Sequence, residues 1–318
     1  MSHQDHRDKY RVRFFDTYQA VQAFQRAGHQ IIFVSYDRTA CSGHRGLPEE
    51  LYLAIRQAIL EVIATTEWEA EQTYVWIDRI SVHQDHALMQ NLATDSLYMY
   101  AKCADLLLVV CPPSAQTPGS PSSLESYQRQ AWCRAEVLAH CCAHGPEDVL
   151  IFDDTGLRVA SAEWLLMMRY VFEGEFPCCS QRGHENRLGD CRSNLLVMPM
   201  LALYCDGIGD TLATVSTSLI MLTQSKSESS PSGLHFFQTK VLPEKDRVFP
   251  PRLRRTYRNK DGKVRSEEQE LFADFLKVVA KGTFVSHRTT GVSRSSSHLA
   301  GQFPLADDFE TLAVTQAI

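Results

Sequence analysis

Short apolar runs that alternate with amphipathic helical patterns constrain this chain more than any other feature. "QIIFVSY" at 30–36, "TYVWID" at 73–78, "DLLLVVC" at 105–111 and "EDVLIFDD" at 147–154 are runs rich in β-branched and large apolar residues, bounded by polar loops. Between the first two, "PEELYLAIRQAILEVIAT" at 48–65 sets Leu51, Ile55, Ala58, Ile59 and Val62 at spacings of three and four. Pro48 is predicted as its first helical residue, with Glu49 and Glu50 in the first turn. Helical patterns recur at 86–104, 128–142 and 161–173. Strands that are apolar along their whole length need cover on both faces, and alternation with helices supplies it. The predicted fold class is therefore α/β, a doubly wound parallel sheet. "NLLVMPM" at 194–200 would bring it to about five strands, in the flavodoxin-like order 2-1-3-4-5.

The chain has 318 residues, 44% of them apolar, which is enough for a substantial core. A formal net charge of −6 disfavours nucleic acid, whose phosphates need a basic surface. No run approaches the ~18 apolar residues of a membrane span, and the N-terminus lacks an apolar leader, so the expectation is a cytoplasmic chain with no membrane span. Ten cysteines, some adjacent and some inside apolar runs, fit buried thiols in a reducing compartment better than a spaced disulfide framework.

Composition divides the chain into an N-terminal helix or extension at 1–27, an α/β domain at 28–222, a Ser-rich linker at 223–233, a small segment at 234–283 and a tail at 284–318 expected to lack structure. In the small segment, "SEEQELFADFLKVVAKG" at 266–282 reads as a capped helix. The basic run "PPRLRRTYRNKDGKVR" before it reads either as a solvated hinge or as a contact for an acidic partner or membrane surface.

In an open doubly wound sheet, ligands sit beyond the carboxyl ends of the strands, where strand order reverses. The first predicted strand ends at Ser35, Tyr36, Asp37 and Arg38, and the loop after the third feeds the helix that carries Glu136. Arg38, Gly43, His44, Arg45 and Gly46, ahead of a helix N-terminus, read as a phosphate cradle or as an ordinary turn. Asp78, His83, Asp85 and His86 match no standard metal spacing and read as a polar loop. Cys178, Cys179, His184 and Cys191 have zinc-donor chemistry; structural zinc and free thiols both stay open there, because two adjacent thiolates reach one tetrahedral ion with difficulty. Glu136 shares a helical face with Trp132, Cys133 and His140. It is either a functional carboxylate or a solvated one paired with Arg129 or His140, the latter worth only about 0–1 kcal/mol.

"IIFVSY" with its polar loop and helix, "DLLLVVCPPS", and "AWCRAEV" together resemble the TIR domain, whose first strand ends in an F-x-S-Y-like motif and whose third helix opens with W-C-x-x-E. "YVWIDRISVHQ" resembles the signature of the heterokaryon incompatibility (HET) domain. The resemblance covers roughly residues 28–155. It implies a TIR-like fold, self-association, other TIR-like or signalling proteins as partners, and a place in immune or cell-death signalling. In enzymatic TIR domains the Glu of W-C-x-x-E cleaves the nicotinamide–ribose bond of NAD+, so the resemblance places an NAD+ nucleosidase role on Glu136. It makes NAD+ a substrate with no resident cofactor, and Ser35, Tyr36, Asp37, Arg38, Trp132 and Cys133 its surroundings. It also accommodates a non-catalytic module for interaction and self-association. The chemistry needs few groups: a preorganised carboxylate stabilises the positive charge that develops on ribose, and nicotinamide leaves neutral without a general acid.

Overall fold

The computed structural model describes residues 12–15, 17–37, 47–82, 93, 96–112, 123–175, 231–258, 263–270 and 312–316. In chain order the first half runs β1 (Val12–Phe15), α1 (Tyr18–Arg26), β2 (Gln30–Ser35), α2 (Glu49–Thr66), β3 (Thr73–Ile77), the one-turn α3 (Asp78–Ser81), α4 (Leu97–Cys103) and β4 (Leu106–Val110). It continues with α5 (Leu124–Arg129), α6 (Ala131–His144), β5 (Val149–Asp153), β6 (Gly156–Val159) and α7 (Ala162–Met168). Later come α8 (Pro231–Phe236), α9 (Lys245–Val248), a β7–β8 pair (Arg252–Arg258, Val264–Glu270) and β9 (Leu312–Gln316).

β3, β2, β4 and β5 are parallel neighbours in that order, the order expected for the first four strands. Side chains alternate between the two faces of these strands, and both faces are covered. Ile31 and Phe33 join Trp76, Leu107, Val109 and Ile151 against α1, α4, α6 and α7. Ile32 and Val34 join Val75, Leu108, Val110 and Phe152 against α2. Every residue of β3, β4 and β5 is buried, which is why these strands read as unbroken apolar runs.

The sheet is nonetheless mixed rather than wholly parallel. Among the described residues it has seven strands in the order β1-β9-β3-β2-β4-β5-β6, and its flanks are antiparallel. Beyond β5 the chain turns back at once through Gly156 at φ +92°, and so short a connection can only produce an antiparallel hairpin. The fifth parallel strand expected at 194–200 lies outside the described residues.

Pro48 precedes α2 as its N-cap instead of opening it. The helix expected over 128–142 is two helices: Ser123 caps α5 by accepting from the Ser126 amide, and Gln130 takes an extended conformation before α6 begins. Likewise the pattern at 161–173 divides into α7 and a single 3-10 turn, Val171–Glu173.

The C-terminal third departs most from expectation. Residues 266–270, expected to open a helix, lie in β8, where the register sets Arg252 opposite Glu270, Arg254 opposite Glu268 and Arg255 opposite Glu267. Leu312–Gln316, within the tail expected to lack structure, forms β9 between β1 and β3. Phe236, Phe237, Val241, Val248 and Phe249 enter the same core as α6, so the segment after the Ser-rich linker is part of the α/β body. No helix among the described residues is long and apolar enough to cross a membrane.

Candidate functional site

Strand order reverses between β2 and β4, and Ser35 lies at the carboxyl end of β2, in register with Val109. The Ser35 hydroxyl donates to the carboxylate of Glu136, which α6 carries to this point. Ser35 Oγ also lies 2.6 Å from the Tyr127 hydroxyl of α5. The next two residues are held as firmly: the Ser126 hydroxyl donates to the Asp37 carboxylate, and the Cys133 thiol faces the Tyr36 carbonyl at 3.7 Å. The Tyr36 hydroxyl donates to Asp78 at the start of α3.

The break at Gln130 makes this arrangement possible. Tyr127 and Glu136 are nine residues apart, so on one unbroken helix they would stand about 13 Å apart and half a turn out of phase. With Gln130 extended, both reach the same serine. Residues 170–175 brace the break. The Glu175 amide donates to the Arg129 carbonyl at 2.6 Å, and the Glu175 carbonyl accepts from Ala131 at 3.0 Å. Arg134 donates to the carbonyls of Gln128 at 2.6 Å and Tyr170 at 2.9 Å.

Burial controls the charges. It pushes the Cys133 thiol well above the ordinary thiol range, with Glu136 and Asp37 adding to the effect. It does the same to the Tyr127 phenol, with Cys133 and Glu136 adding and the Ser35 hydrogen bond opposing. Both groups are therefore protonated near neutrality, and the thiol is a packing group rather than a nucleophile. Cys111, at the end of β4, is likewise raised by burial and by Asp153. Asp153 is also buried, but the Thr155 hydroxyl and amide and the Arg158 guanidinium outweigh that burial and hold it below the usual carboxylate range. Glu136 is only half-buried where it meets Ser35 at the carboxyl end of β2.

Of the residues expected at the site, Ser35, Asp37, Cys133 and Glu136 come together, while the Tyr36 ring enters the core under α2. Trp132 is half-buried and packs against the main core. The pairings that would make Glu136 a decorative charge do not form, because His140 places Nδ1 3.1 Å from the Ala101 carbonyl and Arg129 pairs with Glu125 at 3.6 Å. Arg38 and the glycine loop, His83, Asp85 and His86, and Cys178, Cys179, His184 and Cys191 lie outside the described residues. Among the described residues, no three His, Cys, Asp or Glu side chains are grouped to hold a metal ion. Ser126 and Tyr127 escaped the sequence reading. Ser123 with Glu125 in the following turn is the cap signal that would have started a helix early enough to include them. No family model, curated protein or solved structure matches the chain.

Proposed function

We propose that this chain is a TIR- or HET-like signalling domain with a flavodoxin-like doubly wound core that hydrolyses the nicotinamide–ribose bond of NAD+, with Glu136 as the reactive carboxylate. One observation carries the reading: Glu136 lies at the carboxyl end of β2, where strand order reverses, and is held there by the Ser35 hydroxyl. As the C1′–N bond breaks, its electron pair leaves with neutral nicotinamide and positive charge spreads over the ribose ring. A fixed carboxylate beside that ring stabilises the transition state more than the ground state. Water then adds to C1′ and passes a proton to Glu136.

The test is NAD+ consumption by the full chain and by Glu136→Gln at several protein concentrations. The expected result is a rate about 100-fold lower in the variant, the scale on which a charge-stabilising group acts. Equal rates would remove the enzymatic reading and leave a non-catalytic self-association module. Tyr52 and Leu53, apolar and exposed on the outer side of α2, favour that second reading.

A further inference from the structure

Three oxygens form a continuous chain at the site: Tyr127 Oη, Ser35 Oγ and Glu136 Oε2. A serine hydroxyl has a single hydrogen, and an ionised carboxylate only accepts. The Ser35 hydrogen therefore points to Glu136, and Tyr127 must be the donor to Ser35. Tyr127 has no exposed surface and Ser35 only 1%, so water does not compete for either hydroxyl. The Tyr127 ring stacks on Trp164 at 6.2 Å between centroids and 19° between planes, which holds the phenol in place from α7.

We propose that Tyr127 is a positioning residue for Glu136, acting through Ser35: two buried hydroxyls, donating in series, fix the orientation of the half-buried carboxylate at the carboxyl end of β2. Hydrogen bonds in such a chain polarise one another, so a change at one end is felt at the other. Among the described residues, Asp37 after β2, Asp78 on α3, Cys111 after β4 and Cys133 on α6 all act on the chain or its immediate neighbours.

The proposal rests on the functional reading only for its kinetic consequence, and two independent readouts keep them apart. In protein labelled with 13C at tyrosine Cζ, the Tyr127 resonance is assigned by its loss in Tyr127→Phe. It is expected to move beyond its linewidth in Glu136→Gln, and to lose most of that response when Ser35 is alanine. An unmoved resonance in folded Glu136→Gln, or a response undiminished by Ser35→Ala, overturns the relay whatever the protein does to NAD+. In the kinetic arm, Tyr127→Phe keeps the ring and its stacking and is expected to lower kcat for NAD+ about 3- to 10-fold at unchanged KM. An unchanged kcat overturns the proposal. If wild type consumes no NAD+, the functional reading falls and the resonance alone decides the relay.

Discussion

His140 shows how a single side chain can report on the whole fold. It has no exposed surface, and burial, reinforced by His144, lowers its pKa to about 3. Histidine in an unfolded chain takes up a proton near 6.5. Between those values the unfolded state binds more protons than the native state, so this residue's contribution is complete above about pH 6.5 and is lost as pH falls toward 3. The expected slope is about 1.4 kcal/mol per pH unit inside that window. Urea unfolding of wild type and His140→Leu from pH 7 to pH 5 checks it, because wild type should lose stability more steeply than the variant. Parallel pH dependence in the two proteins would mean that His140 titrates normally in the fold. At this scale the sequence showed which face of α6 Glu136 occupies. It did not show that His140, on the same helix, would bond to Ala101 of α4, because that contact depends on how two helices pack.

Among the elements, the elbow between α5 and α6 governs the site. An extended Gln130 leaves backbone groups at the helix junction without helical partners, and Glu175 supplies both a donor and an acceptor there. So close an approach requires Gly174, since a Cβ at that position would lie 2.8 Å from both the amide nitrogen and the Cα of Ala131. Backbone atoms inside a helix cannot yield as a flexible side chain can. Gly174→Ala is expected to cost about 1–3 kcal/mol in chemical denaturation and, under the proposed NAD+ hydrolase reading, to lower turnover by separating Tyr127 from Glu136. A variant within about 0.5 kcal/mol of wild type would show that the bracing is loose. Nothing near position 130 announces the break. No glycine or proline stands there, the helical pattern runs on through it, and the partner that stabilises it is 45 residues further along (175 − 130).

For the whole molecule, the decisive fact is that residues 231–249 complete the core that the central strands begin. Phe237 is 1% exposed among residues of α6 and its neighbours. At its border Arg169 pairs with Glu244 at 2.9 Å, and Arg247 reaches Glu173 at 2.5 Å and lies 3.6 Å from the Tyr170 ring centre. If the core is shared, Phe237→Ala should cost about 3–5 kcal/mol, as deletion of a buried aromatic ring does, and the protein should still unfold in one transition. Chemical denaturation followed by circular dichroism decides the matter; a separate early transition, or no loss of stability, would make the segment an accessory. Arg247→Ala, at the exposed border, should leave stability near wild type because solvent screens that pair.

The sequence by itself determined the alternation of buried strands and helices, the ends of β2 to β5 to within a residue or two, and the helical face of Glu136. Each of these follows from periodicity within a few consecutive residues, where side-chain spacing and backbone geometry are coupled directly. Only the tertiary structure decided that the sheet has antiparallel flanks, that α5 and α6 are separate helices, that Tyr127 meets Glu136 at Ser35, and that a segment beyond a Ser-rich linker closes the core. Those outcomes depend on which distant backbone donors and apolar faces find partners, a competition in free energy among contacts that no local pattern records.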